Sequence, residues 1–181
     1  MANILITGAT GFVGAALVAR LRRDGHNLSG TTRNPDQLSG PGDVPLRVVP
    51  DFDGETDFAA ALNGADQVVH LAARVHVMRD GAADPLAEHR RVNRDATRRL
   101  ALQAAEAGVK RLVFVSTVKA MNETSLAGDL NETMAPAPVD PYGIAKWEAE
   151  QALAEVAAHT GLEVAILRPP MVYGPGVKGN F

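Results

Sequence analysis

Residues 3–14 read Asn3-Ile4-Leu5-Ile6-Thr7-Gly8-Ala9-Thr10-Gly11-Phe12-Val13-Gly14. The first five form a short apolar run of the kind that fills a strand covered on both faces. Three glycines follow, each three residues from the last. Val13, Leu17 and Leu21 then recur at i, i+4 and i+8, which lines one face of a helix. Gly25 stands where such a helix would be capped. Strand, glycine turn and amphipathic helix in that order predict the first unit of a doubly wound α/β sheet.

The rest of the chain repeats the unit. Runs over Asn27–Thr32, Leu46–Val49, Gln67–Leu71, Arg111–Val115 and Glu163–Leu167 read as strands, several nearly continuous in Val, Ile and Leu. Pro85–Ala107, ending at Gly108, reads as a long helix. Pro141–Thr160 reads as another, with Asp140 as N-cap, Pro141 at its first position and Gly161 just past its end. The expected fold is α/β, a Rossmann-type doubly wound parallel sheet of about six strands with helices on both faces and right-handed crossovers. Lys119–Asp140, rich in Asn, Thr, Gly and Pro, reads as a loop long enough to be functional.

Composition narrows the function. The chain has 181 residues and a formal net charge of −3, with 46% hydrophobic residues. That is one domain, with room for a fragment of a second. The balance does not suit a non-specific nucleic-acid binder. There is no cysteine, so disulfides, thiolate metal sites and a cysteine nucleophile are excluded. The histidines (His26, His70, His76, His89, His159) lack metal-ligand spacing, and no metal site is expected. No apolar run approaches the ~18 residues of a membrane span. The first ten residues lack the basic start of a secretory signal, and the expected location is cytoplasmic. Asn122-Glu123-Thr124 and Asn131-Glu132-Thr133 match glycosylation acceptors, but without a secretory signal they are not expected to be used. Glu88-His89-Arg90-Arg91 reads as a solvated face.

A glycine turn between strand and helix lets backbone approach a pyrophosphate, which rests on free amides at the helix N-terminus. Gly8, Thr10, Gly11, Phe12, Val13 and Gly14 are therefore candidate cofactor-binding residues. The alternative is a tight turn with no ligand. Thr10 stands where the shorter G-x-G-x-x-G motif has glycine, and no Lys-Ser/Thr follows, which excludes a P-loop. The second strand ends at Thr31-Thr32-Arg33, without the acid that accepts from the ribose of NAD. A guanidinium suits a 2′-phosphate, so Arg33 favours NADP(H), with NAD(H) possible, and Thr32 beside it is a further candidate cofactor-binding residue; the plainer reading of Arg33 is a solvated charge. Asp51-Phe52 past the third strand could meet the adenine amino group, or belong to a merely acidic loop. Leu71, Ala72 and Ala73 are small enough to let a dinucleotide cross the sheet edge. His70 reads as a packed strand residue.

Tyr142 and Lys146 stand at i and i+4 on one face of the last predicted helix. A phenol loses its proton near pH ~10. A neighbouring ammonium, together with an oxidised nicotinamide, would bring it toward neutrality and let it exchange a proton with substrate. The alternative is a surface tyrosine packed over a lysine stem. Ser116-Thr117 ends the fifth strand, where open α/β sheets bind ligands, and either hydroxyl could instead be a simple cap.

Together these residues resemble the extended short-chain dehydrogenase/reductase family of NAD(P)-dependent nucleotide-sugar epimerases, dehydratases and reductases. The likeness is carried by TGATGFVG at Thr7–Gly14, HLAA at His70–Ala73, Asn93 with Thr97, VFVST at Val113–Thr117, PYGIAK at Pro141–Lys146 and LRPPMVYGPG at Leu167–Gly176. The resemblance implies Thr117, Tyr142 and Lys146 as catalytic residues, Tyr142, Lys146 and Pro169 also on the nicotinamide side, and Asn93 and Ser116 in support. Val118 and Lys119 replace the carboxylates of the family's 4,6-dehydratases, which argues against dehydration. Met121 and Asn122 replace the usual aromatic and glycine.

The phrasing is most similar to the bacterial surface-polysaccharide branch. The leading expectation is a 4-keto-sugar reductase acting at C4 of a nucleotide-linked hexose, of UDP-N-acetylhexosamine type. The alternatives are an NAD-dependent UDP-sugar 4-epimerase and, from another class, a non-catalytic NAD(P)-binding or sensing module. The resemblance further implies residues 1–168 as the NAD(P)-binding domain and 169–181 as the start of a truncated substrate-binding lobe. It also implies a homodimer through a four-helix interface.

Overall fold

Six strands form one parallel sheet in the computed structural model, which describes residues 1–75, 82–122 and 130–177. They are β1 Asn3–Thr7, β2 Asn27–Thr32, β3 Leu46–Val48, β4 Gln67–His70, β5 Arg111–Val115 and β6 Glu163–Leu167. The order across the sheet is β3-β2-β1-β4-β5-β6, and every pairing is parallel. The direction of winding reverses between β1 and β4, so a crevice for ligand opens at their carboxyl ends. β3 and β4 each end one residue earlier than the sequence suggests. His76 and Glu123-Thr124 of the first glycosylation match lie outside the described residues.

Among the described residues five α-helices cover the sheet: α1 Phe12–Arg23, α2 Ala59–Leu62, α3 Pro85–His89, α4 Ala96–Glu106 and α5 Pro141–Thr160. Alternation along β1 divides the core, as a strand's period of two requires. Ile4 and Ile6 pack with Val18 of α1 and Leu46, whereas Leu5 packs with Phe58, Leu62, Leu100, Leu112 and Leu153 on the other face. α5 starts and stops where its caps demand. The Asp140 carboxylate accepts from the Gly143 amide, Pro141 occupies the first turn, and Gly161 closes the helix at φ +75°. α2 is a single turn, too short for periodicity to reveal.

The long helix expected over Pro85–Ala107 is interrupted. Arg90–Asp95 form a π-helical turn between α3 and α4. Such widened turns occur often at functional positions. Here the turn carries Asn93, 1% exposed, whose amide clamps the backbone of Arg74: Oδ1 accepts from its N–H at 2.8 Å and Nδ2 donates to its carbonyl at 2.9 Å. The Glu88–Arg91 segment is not simply a solvated face. His89 is buried, and Arg90 reaches across to Glu148 of α5, with Nη2 at 2.5 Å from Oε1.

α1 lies so close to the first turn that a Cβ on Gly14 would overlap the Gly8 carbonyl oxygen and stand 2.9 Å from Ala9 Cα. Gly14→Ala is expected to cost about 1–3 kcal/mol, the usual penalty for overpacking. It should appear as a lower denaturant midpoint with unchanged slope; an unchanged midpoint would contradict the packing described.

Candidate active site

The glycine turn faces the crevice. Gly8 sits at φ +72°, the Gly11 amide donates to the Gly8 carbonyl at 3.0 Å, and α1 begins at Phe12. Gly11 offers no side-chain acceptor to the first-turn amides, and Phe12 and Val13 are exposed. A Cβ on Gly11 would meet only the Gly8 carbonyl, at 3.2 Å, and otherwise stand on the open side of the turn. An uncapped helix N-terminus behind two glycines, Gly8 and Gly11, fits a pyrophosphate group.

Behind the turn runs a buried polar chain. Thr97 has one hydroxyl proton and donates it to the Asn93 carbonyl at 2.7 Å. It must then accept from His70 Nε2–H, at 2.9 Å. That leaves His70 Nδ1 as an acceptor for the Thr7 hydroxyl, at 2.6 Å. The Thr7 oxygen in turn accepts from the amides of Leu71 and Ala72, both at 3.2 Å. His70 is thus a neutral imidazole of fixed tautomer. Burial, with some repulsion from Lys146, brings it down to about 3. The packed-strand reading of His70 agrees with this. Sequence reading missed its partners, although Thr7 and Thr97 are both in the quoted motifs.

The carboxyl end of β5 collects the other polar groups. Lys146 is 1% exposed; its Nζ donates to the Val115 carbonyl at 2.7 Å and stands 3.9 Å from the Phe114 ring centroid. Burial pushes this ammonium down to about 7, and the Glu150 carboxylate one turn along α5 pulls it back up. Glu150, itself buried, accepts from the Ser116 hydroxyl at 2.5 Å and from Arg168, with Nη2 at 2.5 Å from Oε2. Ser116 is therefore turned inward, and Thr117 is the half-buried hydroxyl beside it, accepting from the Lys119 amide at 3.3 Å. Glu150 and Arg168 were not foreseen; the i+4 spacing of Glu150 from Lys146 was the available signal.

Tyr142 is half-buried, its ring meeting His89 edge to face with centroids 5.9 Å apart. Its proton is held more tightly than in a free phenol. Burial is the main cause, Asp140 adds to it, and the cation that opposes it is Lys119. The Lys146 ammonium is turned to the Val115 carbonyl and is weakened by its own burial.

The remaining candidates divide. Thr32 is buried and accepts from the Asn34 amide at 3.1 Å, and Arg33 beyond it is exposed. Asp51 is exposed, but the Phe52 side chain is in the core, 5.2 Å from the Phe58 ring and stacked 6.5 Å from His70. Phe52 can offer the crevice only its backbone. Leu71, Ala72 and Ala73 are half-buried at the switch point, and the Pro169 carbonyl accepts from Val118 N–H at 3.0 Å. Asn93 reaches the site indirectly, its Nδ2 lying 3.3 Å from His89 Nδ1. Among the described residues no His, Asp and Glu cluster could hold a metal ion, and no helix is long and apolar enough to cross a membrane.

A strand, a glycine turn at the switch point and a Tyr-x-x-x-Lys helix define a dinucleotide-dependent α/β enzyme class. Residues 4–181 match the NAD dependent epimerase/dehydratase family, and the chain belongs to it. A UDP-glucose 4-epimerase of Vibrio cholerae is 43% identical over 181 residues, 99% of this chain and 54% of that protein. Among solved structures, MoeE5 in complex with UDP-glucuronic acid and NAD matches with a TM-score of 0.80 at 33% identity, covering 97% of this chain and 57% of that one. A UDP-N-acetylglucosamine 4-epimerase from Bacillus cereus matches at 0.80 and 32%, covering 100% and 57%. The chain spans about half the length of the curated relatives it matches.

The His70 arrangement is open to direct measurement. Its folded value, about 3, lies below the ordinary 6.5, so its contribution to stability is present above pH 6.5 and is lost as pH falls toward 3. Isotope-edited NMR should find the Nε2–H tautomer unchanged from roughly pH 5 to 8, where an ordinary histidine changes charge. Titration of His70 in that range would contradict the hydrogen-bond chain.

Proposed function

We propose that this chain is the cofactor-binding and catalytic part of a nucleotide-sugar 4-epimerase that uses NAD and acts on a UDP-hexose or UDP-N-acetylhexosamine. One observation carries the reading: Thr117, Tyr142 and Lys146 lie at the carboxyl end of β5 and the N-terminal part of α5, on the same sheet edge as the uncapped glycine turn. The names of the relatives favour epimerisation over the net reduction expected from the sequence. The amides of Phe12 and Val13 would hold the pyrophosphate, and Gly8, Thr10, Gly11 and Gly14 would let it approach. Thr32, Asp51 and the Phe52 backbone would border the adenosine half, and Leu71, Ala72, Ala73 and Pro169 the nicotinamide half.

A nicotinamide ring bound there supplies reversible hydride exchange at the sugar's C4. The protein's part is the proton. Tyr142 takes the proton of the C4 hydroxyl and returns it. The Thr117 hydroxyl hydrogen-bonds the same oxygen and keeps it before the phenol. Lys146, with one N–H on Val115, retains donors for ribose hydroxyls and holds the ring side of the site in register. Ser116, Glu150 and Asn93 stand behind these groups and fix them. Residues 1–168 form the cofactor domain, and 169–181 lead toward the part that grips the sugar. The full protein is a cytoplasmic homodimer, α4 and α5 pairing with their counterparts in a second copy.

A second reading is a 4-keto-sugar reductase using NADPH. It is favoured by Arg33, exposed at the end of β2 in the place where an acid would select NAD. The two separate by what co-purifies with the full-length protein. Tightly held NAD and interconversion of C4 epimers support the epimerase. Release of apoprotein together with NADPH consumption on a UDP-4-keto sugar supports the reductase.

Tyr142→Phe should lower kcat by about 10²–10⁴-fold, the usual worth of a general acid/base, and leave cofactor affinity nearly unchanged. Turnover that survives the substitution would remove Tyr142 from the reaction and leave a binding module.

A further inference from the structure

Two residues past Thr117 the chain carries a lysine, in a position where the surrounding motif offered no reason for a cation. Lys119 lies in the 3₁₀ turn Val118–Ala120, and its Nζ stands 2.7 Å from Asp140 Oδ2. Asp140 is the N-cap of α5 and precedes Tyr142 by two residues. The turn and the helix are pressed together, for a Cβ on Gly143 would lie 2.6 Å from the Lys119 carbonyl oxygen. The charged pair is thereby fixed at the start of α5, two residues before Tyr142, by backbone contact at Gly143 and by the ion pair at Asp140. The Asp140 side chain is 15% exposed and that of Lys119 40%.

Both charges bear on Tyr142, and in opposite senses: the carboxylate retains the phenol proton and the ammonium favours its release. Among the described residues the other titratable groups nearby are His89 of α3, edge to face with the ring, and Lys146, one turn along α5 with its Nζ on the Val115 carbonyl. Lys119 comes from the same turn as Thr117, so the element that presents the substrate-side hydroxyl also presents this cation.

We propose that Lys119 and Asp140 form a control on proton release from Tyr142, Lys119 promoting it and Asp140 retarding it, with Lys119 a positioning residue that does not itself touch the reacting atoms. The proposal rests on Tyr142 being the acid/base. It implies that the pair's balance, rather than Lys146 alone, sets the pH at which the protein begins to turn over.

The test uses opposite substitutions in the full-length protein. Lys119→Met removes the cation that stands 2.7 Å from Asp140. It should move the Tyr142 titration to higher pH, read by NMR of isotope-labelled tyrosine with the resonance assigned by Tyr142→Phe. The rising limb of kcat/KM should move the same way, with a several-fold loss at a fixed pH on that limb. Asp140→Asn keeps a competent helix cap. It should move both to lower pH, with a several-fold gain, and Lys119→Arg should restore the native profile. The pair is partly exposed, so added salt should shrink both shifts. A merely structural ion pair is lost in either variant alike. Shifts of the same sign, or none, would overturn the proposal. If Tyr142→Phe itself remains active, the acid/base reading fails; if it is inactive while neither profile moves, only the role of the pair is rejected.

Discussion

A Cβ on Gly8 would stand 2.9 Å from the amide nitrogen of Ala72, so at the heart of this molecule two backbones touch with nothing between them. That contact lets β1 turn sharply into α1 while β4 ends alongside. The crevice at the switch point is therefore lined by amides and small side chains rather than by bulk. The Thr7 hydroxyl completes it, accepting from the amides of Leu71 and Ala72 that follow β4. Turn, strand end and buried histidine form one unit. A ligand on the turn is held by backbone whose position is determined by the core.

The second half of the site is built from α5. Its charged residues Lys146 and Glu150 enter the protein interior, and each is matched there: the ammonium by the Val115 carbonyl and the Phe114 ring, the carboxylate by Ser116 and Arg168. Unmatched, either charge would be costly to bury. Matched, they tie β5 and the segment after β6 to one helix. Near neutrality the buried lysine lies close to its own midpoint, about 7. The cation that opposes the upward shift of Tyr142 is Lys119, closer to solvent.

Much of this was legible in the sequence because its causes are local. Alternating apolar runs, the glycine turn, and the Asp140-Pro141 start and Gly161 stop of α5 express backbone preferences that act within a few residues. α2, one turn long, has no period to read. The π-helical turn at Arg90–Asp95 was invisible because its sequence remains helix-forming, and what marks it is the clamp of Asn93 on the distant backbone of Arg74. Tyr142, Lys146 and Thr117 were found as a motif. Motif spacing, however, carries no information on which cation faces the phenol or which of two adjacent hydroxyls is turned inward. Phe52 shows the converse: a residue beside a site in sequence placed its ring in the core instead.

The central claim is that a dinucleotide lies along the carboxyl edge of the sheet from the glycine turn to α5. A crystal structure of the full-length protein with NAD tests it most directly. The account predicts the pyrophosphate on the amides of Phe12 and Val13, and a ribose hydroxyl within hydrogen-bonding distance of Lys146 Nζ, with the Tyr142 hydroxyl facing the nicotinamide. A dinucleotide seated away from the turn, or a phenol turned from the crevice, would contradict it.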